Sequence, residues 1–259
     1  MSQIDFFHPP LVDPSPEQAR DTSPLGWTSA ARSHVGFVRS ANEDAFLDAR
    51  EQGLWVVADG MGGHSRGDQA SQAVVNNLVS FARAEDLTQN IDNLESRLLE
   101  ANKVCRSMVR GKVIGSTVAA LFAFDPFCFF LWAGDSRIYR LRDGELKQMT
   151  EDHSLVQEMC ALGELTPEEA EHHPSSNIIT RAVGVHDKLR VEMQYTTVHP
   201  GDRYLLCSDG LYKDLHTDEI HTLLADGPAQ HAVNQLVNLA LERGGSDNVT
   251  AIVTQAEYL

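Results

Sequence analysis

The chain has 259 residues, 42% of them apolar, enough for one large layered core. Acidic residues outnumber basic ones 37 to 21, for a net charge of −16. That balance disfavours nucleic acid and anionic lipid as partners, and any anionic substrate must meet positive charge added locally.

Residues 1–26 hold five of the ten prolines (Pro9, Pro10, Pro14, Pro16, Pro24) and no periodicity. They read as an extended or disordered tail, although Phe6-Phe7 and Leu11-Val12 leave an irregular packed arm open. There is no basic start followed by an apolar stretch, so no secretory leader is expected, and no apolar run of about 18 residues predicts a membrane span.

From Trp27 to the end a single domain is predicted. Apolar or alternating runs predict strands over 35–38, 54–58, 117–124, 128–133, 137–142, 190–196, 203–207 and 249–254. Leu54–Ala58 and Phe129–Ala133 are apolar throughout, as in strands covered on both faces. Asp125-Pro126 breaks one hairpin, and Asp143-Gly144 turns another. Helical spacing is clear in Ala70, Ala73, Val74, Leu78 and Phe81; in Ile91, Leu94, Leu98, Ala101, Cys105 and Met108; and in Ala232, Leu236, Leu239 and Ala240. Shorter helices are predicted over 155–162 and 167–172, with Pro167 in a first turn, and another from Thr217 as cap. Strands clustered as meanders argue for α+β rather than strict βαβ alternation. Cys105, Cys128, Cys160 and Cys207 have neither metal-ligand nor disulfide-framework spacing and read as reduced core thiols.

Three of these strands run into aspartate: Leu54–Ala58 into Asp59, Phe130–Gly134 into Asp135, and Tyr204–Ser208 into Asp209. A fourth, Asp247, precedes the strand from Val249. Asp-Gly is also a common turn dipeptide, but neither Asp59 nor Asp209 is followed by a matching strand, as a two-residue hairpin requires. If the strands are neighbours, four carboxylates meet at one rim. Clustered carboxylates repel and call for a cation. An all-oxygen set suits Mg²⁺ or Mn²⁺, and the Ca²⁺ loop signature is absent. A pair of such ions about 3.5–4 Å apart is a known device for hydrolysing phosphate esters. It would also supply the positive field that the chain lacks.

Gly60 allows close approach, so its carbonyl can itself face an ion. The loop Gly60-Met61-Gly62-Gly63 fits neither a P-loop nor G-x-G-x-x-G. Arg39, three residues before Asn42-Glu43-Asp44, is a guanidinium suited to phosphate, with Glu43 and Asp44 placed to orient metal waters. Taken alone, that cluster also reads as a surface salt-bridge turn.

Seven segments occur in order: Arg39–Asp44, Asp59-Gly-Met-Gly-Gly-His64, Ala133-Gly-Asp-Ser-Arg137, Asp152-His-Ser154, Ile179-Thr-Arg-Ala-Val-Gly184, Cys207-Ser-Asp-Gly-Leu211 and Ser246-Asp-Asn248. Together they resemble the metal-dependent serine/threonine protein phosphatases of type 2C in their bacterial form, over residues 30 to 255. The resemblance implies a central β-sandwich of two antiparallel sheets with helices on both outer faces (αββα layers). It implies two Mn²⁺ or Mg²⁺ ions bridged by Asp59, one held also by Asp209 and Asp247, the other by the Gly60 carbonyl. It implies a third, weaker metal site on Asp135 and Asp209, Arg39 on the substrate phosphate, and a bridging water attacking phosphorus in line. Residues 154–178 match the mobile flap of bacterial members. Where animal members place a histidine acid after Asp-Gly, this chain has Met61. His64 is the candidate general acid, with a helix-capping role as its alternative.

The function implied is hydrolysis of phosphoserine and phosphothreonine, in the cytoplasm, opposing a bacterial Ser/Thr kinase in a secretion or cell-envelope pathway. Two other readings are weaker. A catalytically silent phosphoprotein binder would not need every metal position to stay acidic. A two-metal nuclease would need a basic groove.

Overall fold

The structure, a computed structural model, describes residues 4–7, 25–62, 66–108 and 113–259. His64 therefore lies outside the described residues, as does most of 1–24.

One sheet is ordered β1 (Ile4–Phe7), β10 (Leu189–Thr197), β7 (Phe127–Ala133), β6 (Val118–Phe124), β4 (Leu54–Gly62) and β3 (Asp44–Ala49), with β5 (Ile114–Ser116) paired to β4. The other is ordered β2 (Leu25–His34), β12 (Val249–Tyr258), β11 (Arg203–Cys207), β8 (Arg137–Arg142) and β9 (Glu145–Gln148). All pairings are antiparallel except β1 with β10. Helices α1 (Gly67–Leu78) and α2 (Leu87–Ser107) cover the first sheet. Helices α5 (Asp209–Tyr212), α6 (Thr217–Ala225) and α7 (Ala229–Glu242) cover the second, and α3 (Leu155–Ala161) and α4 (Pro167–Glu171) lie within residues 154–178, where the resemblance expects the flap.

The period of two along each strand explains the double coverage. In β4, Trp55 and Val57 face the other sheet and, with Trp132 of their own sheet, pack against Tyr204, Leu206 and Ile252. Leu54, Val56 and Ala58 face Leu78, Leu94 and Leu98 of α1 and α2. On the far side, Leu205, Cys207 and Val253 pack on Leu236, Val237 and Ala240 of α7. Fully burying a large apolar side chain is worth about 1.5–3 kcal/mol, so these three stacked layers fix which way each strand faces.

The turns follow local chemistry. Asp143 (φ 51°) and Gly144 (φ 78°) both take positive φ, as the β8–β9 hairpin requires. Pro167 opens α4 after Thr166, whose hydroxyl and Glu169 form a reciprocal cap. In α6, Thr217 is the first helical residue rather than the cap, because the Glu219 carboxylate accepts from the His216 N–H. All four cysteines are free, three of them buried.

Three sequence expectations are corrected. Residues 35–38 form no strand: Gly36 sits at φ 79°, and Phe37 and Val38 are exposed. The sheet residues here are instead β2 before this segment and β3 after it. β4 does not stop at Asp59; it runs on to Gly62 by exchanging β6 for β5 as partner. Among the described residues, Leu25 and Gly26 of the expected tail belong to β2, and Ile4–Phe7 pairs with β10.

Candidate metal centre and active site

Pairing brings the acids together. Asp44 stands opposite Asp59 across β3 and β4. Asp209 opens α5 directly after β11, and Asp247 lies two residues before β12, the neighbour of β11. A Cβ on Gly210 would lie 2.1 Å from the Asn248 carbonyl oxygen and 3.3 Å from the Asp247 Cβ, so the glycine is what lets these two ends touch. Gly60 is as crowded: a Cβ there would meet the Gly67 oxygen at 2.0 Å. Asp135 joins through Thr117, whose hydroxyl accepts from the Asp59 N–H at 2.9 Å and bonds the Ser136 hydroxyl at 2.7 Å.

The electrostatics confirm the convergence. Burial pushes the Asp59 carboxyl well above the usual carboxylate range, and the charges of Asp44, Asp209, Asp135 and Asp247 add to it. Asp59 nonetheless keeps an edge toward solvent. Burial raises Asp44 to about 7. Burial, then Asp209, raises Asp135 to about 7.

The residues fit a hard divalent cation. Every donor in the cluster is a carboxylate or carbonyl oxygen. One oxygen of Asp44 accepts from the Ser208 hydroxyl at 2.7 Å, while its Oδ1 is buried with no hydrogen-bond partner. Among the described residues no three acidic, histidine or cysteine side chains already form a chelating set. Two of the acids are held aside: Arg39 donates to Asp247 Oδ2 at 2.7 Å, and Lys213 donates to Asp209 Oδ2 at 2.6 Å.

Glu43 accepts from the Gly67 N–H at 3.1 Å, at the start of α1, and its own N–H donates to Asn248. Arg39 is more than half exposed beside the cluster, free to reach a ligand from solvent. His153 stacks on Trp132 and braces the flap root. Its backbone N–H donates to the Gly134 carbonyl, its Nδ1 accepts from the Gly134 N–H, and its carbonyl accepts from Thr180. That arrangement leaves the Nε2 proton for Glu192, and burial lowers the imidazole pKa.

Sequence reasoning missed several supports. Asn248 donates to the carbonyls of Val35 and Ala41 and accepts from Glu43, locking the Arg39 loop to the Asp247 turn. Ser208 holds Asp44, and Thr117 holds Asp59. Asn248 and Ser208 fall inside the quoted motifs, which was the available signal. Lys213 adjoins one without belonging to it.

A two-sheet sandwich with an oxygen-rich acidic rim is the architecture of a metal-dependent phosphatase. Residues 30–247 match the family described as Protein phosphatase 2C. A solved structure described as PppA, a key regulatory component of T6SS in Pseudomonas aeruginosa, is 43% identical, with a TM-score of 0.81 over 89% of this chain and 98% of that one. The catalytic domain of the serine/threonine protein phosphatase PstP, solved in complex with 2 manganese ions, is 34% identical, with a TM-score of 0.81 over 90% of this chain and all of that one. The serine/threonine protein phosphatase PstP of Mycobacterium tuberculosis is 37% identical over 229 residues, 86% of this chain. The chain spans 44% of that relative's length. The chain belongs to the protein phosphatase 2C family.

Proposed function

We propose that this chain hydrolyses phosphoserine and phosphothreonine in proteins with two Mn²⁺ or Mg²⁺ ions at the acidic rim. The observation that carries the reading is the convergence of Asp44, Asp59, Asp135, Asp209 and Asp247, with one buried Asp44 oxygen unpartnered. Asp59, Asp209, Asp247 and the Gly60 carbonyl are the groups that would hold the ions. When bound, the ions lower the pKa of water and neutralise phosphoryl oxygens. The residues do the rest. Glu43 and Asp44 orient water at the rim, each already anchored by a backbone or hydroxyl donor. Arg39 exchanges Asp247 for the substrate phosphate, which its planar fork can hold by two hydrogen bonds. His64 is the residue that protonates the leaving oxygen.

The substrate partner is a cognate Ser/Thr kinase and its targets. The likeness to PppA supports a target in a secretion pathway of the T6SS kind. Four unpaired cysteines suit the reducing cytoplasm. The charge of −16 weighs against a nuclease.

The test is phosphate release from a phosphothreonine peptide, with Mn²⁺ and with EDTA. Release that needs Mn²⁺ supports the reading; a folded protein that releases none with Mn²⁺ ends it.

A further inference from the structure

Asp135 and Asp209 are the pair from which the family resemblance expects a third ion. Among the described residues, a side chain of this chain already stands there. Lys213 Nζ donates to Asp209 Oδ2 at 2.6 Å and to Asn177 Oδ1, in the flap, at 2.6 Å. Lys213 lies four residues after Asp209, and its N–H donates to the Asp209 carbonyl at 3.0 Å. A single helical turn therefore puts ammonium and carboxylate on one face. The next-door side chain sets the other half of the geometry. The Tyr212 hydroxyl donates to the Asp135 carbonyl at 3.0 Å, and the Arg137 guanidinium caps the Tyr212 ring at 3.6 Å. This pins α5 against the Asp135 turn, so that Asp135 and Lys213 line one wall of the same cavity, about 590 Å³, between the flap and α6.

A third ion there would have to displace an ammonium held by two acceptors.

We infer that the Lys213 ammonium takes the place of a third metal ion, serving as a fixed cation on Asp209 in the cavity that Asp135 also lines, and tying the metal rim to Asn177. The inference rests on the two-ion reading of the core. Lys213 is a positioning residue. It holds one Asp209 oxygen in place and links it to the flap without using an exchangeable ion.

The experiment counts ions. Metal-stripped wild type, Lys213→Met and Asn177→Ala are titrated with Mn²⁺ by calorimetry, and Mn²⁺-soaked crystals are read by anomalous scattering, with melting curves confirming that each variant is folded. Wild type and Asn177→Ala should bind two ions. Lys213→Met should bind a third, weaker one against Asp135 and Asp209. A third ion on Asp135 and Asp209 in wild type, or only two ions in folded Lys213→Met, overturns the inference while leaving the two-ion core standing. Fewer than two ions in wild type overturns the two-ion core and the inference together. If Lys213→Met does not fold, Lys213→Gln, shorter and uncharged, carries the same count.

Discussion

The two ends of the sandwich handle buried acids in opposite ways. At the end away from the rim, the Asp202 side chain is fully buried and fully partnered. It accepts from Arg142 at 2.7 and 2.6 Å, from the Tyr204 hydroxyl at 3.0 Å and from the His199 N–H at 2.9 Å. At the rim, five aspartates converge, burial and neighbouring charges drive the carboxyls of Asp59, Asp44 and Asp135 upward, and one Asp44 oxygen has no partner. The first arrangement closes on itself and holds the fold. The second is incomplete without a cation from solution, and that incompleteness is what makes it a site. A buried carboxylate signals function when its partners are other carboxylates, and structure when they are donors.

That contrast breaks cleanly under mutation. Asp202→Ala leaves a buried guanidinium and a buried tyrosine hydroxyl without their acceptor. Removing one member of such a pair costs about 3–5 kcal/mol, so urea unfolding should show a loss of that size. Turnover per folded molecule and Mn²⁺ affinity should stay as in wild type. A loss below about 1 kcal/mol would mean the far-end network is decorative. Asp209→Asn should do the reverse. Losing one carboxylate from the ion set should lower kcat on a phosphothreonine peptide by roughly 10²–10³-fold, the scale of removing one charge-stabilising group from an active site. The metal-free protein should melt no lower, because a like charge has gone. Near-normal turnover would contradict the metal assignment.

The same contrast decides what the sequence could tell. Strands β4, β7 and β11 are legible because layers on both faces make them continuous apolar runs, and the aspartates that follow those runs stand out against that background. α1, α2 and α7 are legible from their apolar stripes. β2 and β3 are not: most β2 residues are only partly buried, and in β3 the exposed Phe46 sits between buried Ala45 and Leu47, so neither sequence shows a strong apolar alternation. Val35–Val38 misleads for the opposite reason. It is an apolar run, but Gly36 is held in the left-handed region against the Asp247 carbonyl, and a turn with two exposed apolar side chains results. The acids of the site were legible as chemistry. Ser208, Thr117 and Asn248 were not, because neutral hydrogen-bonding residues are common everywhere and only the fold reveals which carbonyl or carboxylate they hold. Lys213 escaped for a related reason: its partner, four residues earlier, becomes a neighbour only if a helix turn starts at Asp209.

The smallest expected effect is a pH dependence confined to the rim, and its sign follows from the direction of the shifts. Asp44 and Asp135 titrate at about 7 in the folded, metal-free protein, against an ordinary value near 4 once unfolded. Between those values the folded state holds protons that the unfolded chain releases. Their contribution to stability is therefore fully present below about pH 4 and lost as pH rises through about 7. In EDTA, melting temperature should fall between about pH 5 and pH 8, and Asp135→Asn should fall less steeply, since its neutral amide no longer titrates. Saturating Mn²⁺ should flatten or reverse the slope, because ion binding favours the ionised carboxylates and strengthens as protons leave. The Asp202→Ala protein, though weaker throughout, should keep the wild-type slope, since the titrating pair is at the other end. A melting temperature that climbs with pH in EDTA, or a slope that Asp135→Asn leaves untouched, would place the titrating acids somewhere other than this rim.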